Sequence, residues 1–292
     1  MEQISTQGRN YNTISPSAKG LLLLKGNTSI PFARAAAELI SLPEAYHPDF
    51  DKKDFTFWLR VLHFENRYRS IDQLLSGLNA KNILELSSGF SFRGLASIQD
   101  NDMHYVDTDL REVINTKNSF IEALQNKDVK PKGKLEIMPL NALDEKEFES
   151  VINHFPDGEI TIVNEGLLMY LDISEKKKLC GIIHRILSER GGWWITADIY
   201  IKGKQKALNM KTDDKLERFF EEHNIEQNKF ESFEAAEEFF KNEGFVIDKE
   251  AEPEYAQSAS LKYLLESASQ DQLKNLGKTG KIHATWRLKP GK

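Results

Sequence analysis

A single cysteine, Cys180, occurs in 292 residues, so no internal disulfide can form and a reducing cytoplasm is the simplest address. No charged-then-apolar leader opens the chain. Long apolar runs are missing too. Residues 21–24 form one of four leucines, far short of the about 20 residues that a membrane-spanning helix needs, and no membrane crossing is expected. Positive charge is not in excess: 45 acidic against 39 basic residues leave a net charge of −6, which argues against a broad electrostatic footprint for nucleic acid. The lysine clusters Lys130-Lys132-Lys134, Lys176-Lys177-Lys178 and Lys202-Lys204-Lys206 lie beside turns or on a first helical turn and read as solvated surface. The G-x-x-x-x-G-K-[ST] loop of triphosphatases is absent, and so is the G-x-G-x-x-G turn that a dinucleotide pyrophosphate requires.

What is present is enough apolar content, 40%, to bury one large core. The leading 75 or so residues read as helical. Phe55, Trp58, Leu59 and Leu62 share one helical face, as do Ile71, Leu74, Leu75 and Leu78. Ser70 is placed to cap the second of these helices, and Pro31 to occupy the first turn of an earlier one. Residues 1–78 are therefore expected to form a helical cap.

From residue 82 the rhythm changes to short apolar runs separated by amphipathic segments. Residues 83–86, 103–106, 135–138, 160–163 and 193–197 are the expected strands, and five of them with helices between predict a parallel, doubly wound α/β sheet. The helix before the fifth has Ser174 as its expected cap, a buried stripe at Leu179, Ile182, Ile183, Ile186 and Leu187, and Gly191-Gly192 as its stop. Helices around residues 216–220 and 233–240 follow, and strand-like segments at 245–248 and 281–288 predict a closing antiparallel pair. Residues 79–292 thus form the sheet-based core, with helical insertions after residue 200. Trp193 and Trp194, adjacent in a strand, are expected to pack under different helical layers.

An open α/β sheet gathers ligands at the carboxyl ends of its strands. The first such end reads Glu85-Leu86-Ser87-Ser88-Gly89-Phe90-Ser91-Phe92-Arg93, a small-residue turn that lets backbone approach a ligand. Ser88 and Arg93 read as ordinary loop and helix residues. The second strand ends in Asp107 and Asp109, about 20 residues after the glycine, where a carboxylate can accept from ribose hydroxyls; helix capping is the competing explanation. The fourth ends in Asn164-Glu165-Gly166-Leu167-Leu168-Met169-Tyr170-Leu171.

Together with Tyr105-Val106-Asp107-Thr108-Asp109-Leu110, these strings resemble the leucine carboxyl methyltransferase family and its bacterial polyketide-type O-methyltransferase relatives. The resemblance runs from about Ser15 to the fifth strand. It implies a Rossmann-like class I methyltransferase fold with a helical N-terminal cap, and S-adenosylmethionine as cofactor, leaving as S-adenosylhomocysteine. It implies that Asp109 binds ribose, that Glu165 lies at the cofactor, that Arg67 reaches the methionine carboxylate from the cap, and that Lys19 matches the early lysine. Asn141 and Ala142 stand where the family usually has Asp-Leu beside adenine. Ser87 and Gly89 stand where it usually has Gly-x-Gly, the largest departure.

The resemblance implies methyl transfer to an oxygen of a small molecule, a carboxylate or a hydroxyl. A carboxylate needs no general base, whereas a hydroxyl does. His63, His104, His154, His184 and His283 are available, and none is assigned. Tyr170 is the candidate on the acceptor side, with packing under the cap as its competing role. No metal site is assigned, and the oligomeric state is not legible. Two alternatives stay open: a catalytically silent binding protein, favoured by Ser87 and Asn141, and methylation of a protein's terminal carboxylate.

Overall fold

The computed structural model describes residues 15–40, 53–125, 129–203 and 214–291. Seven strands form one sheet: β1 (Asn82–Leu86), β2 (His104–Asp109), β3 (Lys134–Pro139), β4 (Ile160–Asn164), β5 (Gly192–Tyr200), β6 (Phe245–Glu250) and β7 (His283–Pro290). Their order is β3-β2-β1-β4-β5-β7-β6. The first five pair in parallel, and β7 inserts antiparallel between β5 and β6. The expected antiparallel pair thus exists and joins the sheet through its second member, whose Ala284, Trp286 and Leu288 are buried.

Helices are α1 (Ser15–Lys25), α2 (Ala33–Glu38), α3 (Phe55–Ser76), α4 (Arg93–Asp100), α5 (Arg111–Leu124), α6 (Glu145–Ile152), α7 (Ile173–Arg190), α8 (Asp214–Glu222), α9 (Ile225–Asn228), α10 (Phe233–Asn242), α11 (Leu261–Ser267) and α12 (Gln270–Thr279). Strand alternation sends neighbouring residues to opposite faces. Leu84, Ile162 and Trp194 pack with α6, α7 and α10, while Ile83, Val163 and Ile195 pack with Ile71 and Leu74 of α3 and Ile98 of α4. Helices therefore cover both faces. The second half of α3 belongs to this shared core, and its Glu65 binds the backbone amides of Ala259 and Ser260 at 2.9 and 3.0 Å, tying α3 to the start of α11.

Several local expectations are corrected. Ser70 caps nothing, because α3 runs unbroken through it; its hydroxyl donates to the Arg67 carbonyl at 2.7 Å and meets the Thr285 hydroxyl at 2.6 Å. Pro31 precedes α2, whose N-cap is Phe32 in a left-handed conformation. The N-cap of α7 is Asp172, not Ser174, in a capping box closed by Glu175. Gly191 ends that helix as expected. Trp194 is buried edge-on to Phe240, and the half-buried Trp193 lies beneath the guanidinium of Arg287 at 4.9 Å. Lys176 is not surface: it is 3% exposed and donates to the carbonyls of Leu171 and Asn228. Lys204 and Lys206 lie outside the described residues. Among those described, no helix is long and apolar enough to cross a membrane.

Candidate functional site at the carboxyl ends of the strands

A cavity of about 540 Å3 opens over the carboxyl ends of the strands. Its floor is the loop after β1, the end of β2, residues 140–143 after β3, residues 165–171 after β4 and Tyr200 at the end of β5. Helices α1 and α3 close one side, and residues 219–221 and 225–227 another. The cavity brings together Arg67, Ser87, Gly89, Asp109, Asn141, Ala142, Glu165 and Tyr170. Lys19 is not among the lining residues, and Lys25 is. The reason is helical geometry: six residues at about 100° each place Lys25 roughly 240° around α1 from Lys19.

The loop after β1 turns through two left-handed residues, Ser87 (φ 49°) and Gly89 (φ 50°). A glycine at position 87 would adopt this backbone without the strain a Cβ brings. Asp109 holds the loop from below. Its carboxylate accepts from the backbone amides of Gly89 and Leu110, each at 2.7 Å. Burial pushes this carboxyl up, and the two amides oppose the shift. Beneath it, Lys117 pairs with Asp107 at 2.8 Å and donates to Ser88 at 2.8 Å, all three buried. Asn141 serves its own turn, its side-chain oxygen accepting from the Leu143 amide at 3.0 Å.

Glu165 is the electrostatic centre. Lys25 reaches it at 2.6 Å, Arg67 at 3.1 Å and Arg93 at 3.5 Å, with every member at most 5% exposed. Burial alone would raise the Glu165 carboxyl; Lys25, then Arg67 and Arg93, hold it far below the ordinary range. Its second oxygen, Oε2, has no hydrogen-bond partner among the described residues. Arg93, an ordinary helix residue by sequence, is 2% exposed and also binds Asp72 at 2.7 Å and Glu85 at 2.8 Å. Asp198 of β5 holds the Glu165 loop, accepting from the amides of Gly166, Leu167 and Leu168 at 2.6, 2.7 and 3.1 Å, and from the Asn164 amide at 2.6 Å. Lys25, Arg93 and Asp198 carried no local sequence signal; each acquires its role from elements distant in the chain. Tyr170 faces the Ser17 hydroxyl at 3.3 Å, with Phe219 and His223 edge-on to its ring.

Two histidines stand at the same end. His283 Nε2 donates to the Ala197 carbonyl at 3.0 Å, and burial, then Arg67, lowers its imidazole to about 3. Burial, then His283, holds His63 well below its ordinary value. Both are neutral when folded, whereas an unfolded histidine titrates near about 6.5. A folded value below the unfolded one gives stability that is complete above about pH 6.5 and is lost as pH falls toward 3. Urea midpoints are thus expected to decline through this window, and less steeply in His283→Asn; an unchanged slope in the variant would refute the assignment.

No protein-family model and no curated protein sequence matches the chain. Solved structures do match. The cyclopropane synthase MmaA2 from Mycobacterium tuberculosis aligns over 97% of this chain and 99% of its own, with a TM-score of 0.54 and 14% identity. Magnesium protoporphyrin IX methyltransferase from Synechocystis PCC 6803, solved with bound S-adenosylmethionine, aligns over 97% and 99% with a TM-score of 0.50 and 9% identity. The mitomycin 7-O-methyltransferase MmcR aligns over 80% of this chain at a TM-score of 0.46 and 10% identity, and the chain spans 57% of its length. At these identities the likeness is one of fold. The chain has the Rossmann-like fold of the class I, S-adenosylmethionine-dependent methyltransferases.

Proposed function

We propose that this protein is an S-adenosylmethionine-dependent O-methyltransferase acting on a small molecule, within the leucine carboxyl methyltransferase family and its bacterial polyketide-type branch. The observation that carries the reading is the charge pattern of the cavity. Lys25, Arg67 and Arg93 surround Glu165, whose buried Oε2 faces Arg93 at 3.5 Å and has no hydrogen-bond partner among the described residues. A zwitterionic amino-acid group suits such a site, because the cations can take its carboxylate and Glu165 its ammonium. Asp109, at the end of β2 and against Gly89, has the acceptor character that a ribose diol needs. Ala142 and Leu143, with Leu140 and Val113, offer an apolar slot to adenine. The donor set thus fits the cofactor at both ends.

When bound, S-adenosylmethionine supplies a sulfonium methyl group open to attack by an acceptor oxygen. The chain's own task is alignment and exclusion of water. Asp198 positions the loop bearing Glu165, and Tyr170 borders the acceptor region with Met169, Phe219 and Ile225. Arg67→Ala removes one of the cations on Glu165, and its affinity for S-adenosylhomocysteine is expected to fall about 10-fold or more, the scale of one charge-assisted bond. Calorimetric titration of wild type and variant tests this. Micromolar or tighter binding by wild type, about −8 kcal/mol, supports the reading. Absence of heat with both S-adenosylmethionine and S-adenosylhomocysteine would favour the silent binding protein, consistent with Ser87 in a left-handed turn and Asn141 committed to Leu143.

A further inference from the structure

Helix α3 presents Arg60, His63, Phe64 and Arg67 to the cavity, positions i, i+3, i+4 and i+7 and therefore one helical face. Tyr200, at the carboxyl end of β5, meets this face. Arg67 Nη1 donates to the Tyr200 hydroxyl oxygen at 3.1 Å, and His63 Nε2 lies 2.8 Å from the same oxygen. Guanidinium has no acceptor, so it occupies a lone pair of the phenol oxygen, and the hydroxyl hydrogen can go to His63 Nε2. In that arrangement His63 is the Nδ1–H tautomer, with its basic nitrogen on Tyr200. The second lone pair of the Tyr200 oxygen is left for a third partner. Both residues line the cavity, and among the described residues no other hydrogen bond is made by His63 or by the Tyr200 hydroxyl.

The cavity that the pair lines also has an apolar component. Leu21, Leu24, Phe64, Met169, Phe219 and Ile225 are among its lining residues. Lys25 and Arg67 both pair with Glu165, at the end of the cavity assigned above to the cofactor. A hydroxyl acceptor needs a base, and the His63–Tyr200 pair is placed to supply one.

We propose that Tyr200 and His63 form a proton relay for a hydroxyl acceptor, so that this site, on the methyltransferase reading above, takes a phenol- or enol-type hydroxyl on an apolar body. The acceptor hydroxyl donates to the Tyr200 oxygen while Tyr200 donates to His63 Nε2. The acceptor oxygen forms its bond to the methyl carbon as the carbon–sulfur bond breaks, and that electron pair stays on sulfur. The proton given up ends on His63 as imidazolium. Net charge in the cavity is unchanged, because the positive charge lost from sulfur reappears on His63. Burial pushes the Tyr200 phenol up to about 12, so Tyr200 keeps a proton to pass on. His63 is faced by Tyr200 and His283 and, farther off, by Arg67, Glu165 and Lys229. Their net effect, with burial, keeps His63 neutral, so that its ring nitrogen is open to a hydrogen bond from Tyr200.

The test uses the full chain, labelled S-adenosylmethionine and two probes sharing one apolar body, 2-naphthol and 2-naphthoate. Methyl transfer to 2-naphthol and not to 2-naphthoate is expected. His63→Gln and Tyr200→Phe should lower that rate about 100-fold or more, with wild-type affinity for S-adenosylhomocysteine kept in His63→Gln. Their residual rate should rise about tenfold per pH unit toward the phenol range near about 10, since the probe must then ionise unaided; a merely structural defect would not recover with pH. Transfer only to 2-naphthoate, binding of S-adenosylhomocysteine with transfer to neither probe, variant rates within about threefold of wild type, or a loss independent of pH would each overturn the relay. Joint loss of rate and S-adenosylhomocysteine affinity in both variants would overturn it too, by making the pair structural. Failure of the wild type to bind S-adenosylhomocysteine at all would instead overturn the methyltransferase reading, and the relay with it.

Discussion

Replacing Arg93 by leucine is expected to lower the unfolding free energy by about 3–5 kcal/mol, the cost of stranding a buried charge. Arg93 sits 4.0 Å from the Tyr68 ring and binds carboxylates from two other elements, Asp72 of α3 and Glu85 of β1, besides facing Glu165. Those three partners do not lose equally. The Asp72 side chain is 45% exposed and can turn to water, and Glu165 keeps Lys25 and Arg67. Glu85 is fully buried and, among the described residues, its carboxylate would retain only the Tyr105 hydroxyl, at 2.5 Å. Most of the loss therefore comes from Glu85, and the double variant Arg93→Leu, Glu85→Leu should recover much of it because no orphaned charge remains. Lysine at 93 should rescue poorly, since one ammonium cannot span three directions. Urea unfolding of the three variants checks this; a single-variant loss under about 1 kcal/mol would contradict the buried-charge account.

Asp109→Ala is expected to weaken S-adenosylhomocysteine binding about 100-fold or more, two hydrogen bonds to a charged acceptor at about 1.5–3 kcal/mol each. The fold should survive. The amides of Gly89 and Leu110 lose their acceptor, a cost of about 1–3 kcal/mol apiece where water cannot replace it. Asp109→Asn keeps an oxygen acceptor and should fall between. Calorimetry alongside thermal unfolding separates the two effects: unchanged affinity would remove Asp109 from the cofactor site, and unfolding of the alanine variant would make its role structural.

The strands, their parallel order of appearance and the closing pair were legible because apolar runs and their spacing are local properties of the chain. The same holds for Asp109 and Glu165, which lie at strand ends, where topology alone sends side chains toward a ligand. Local capping was less legible: Ser70 and Ser174 have the right chemistry for caps, but a helix that continues or an aspartate two residues earlier decides otherwise.

Sequence by itself determined the α/β class, the strand-end loops and the acids they carry, since each depends on periodicity of two or 3.6 residues and on turn chemistry within a short window. Only the tertiary structure decided which cations meet those acids. Lys25 in place of Lys19, Arg93 as a three-way hub, Asp198 beneath the Glu165 loop and the His63–Tyr200 pair all join residues separated by 8 to 140 positions. Their roles come from desolvation and from pairing across elements, and burial makes an unpaired charge too costly to keep, so the pairings exist only once the sheet and its helices have closed over them.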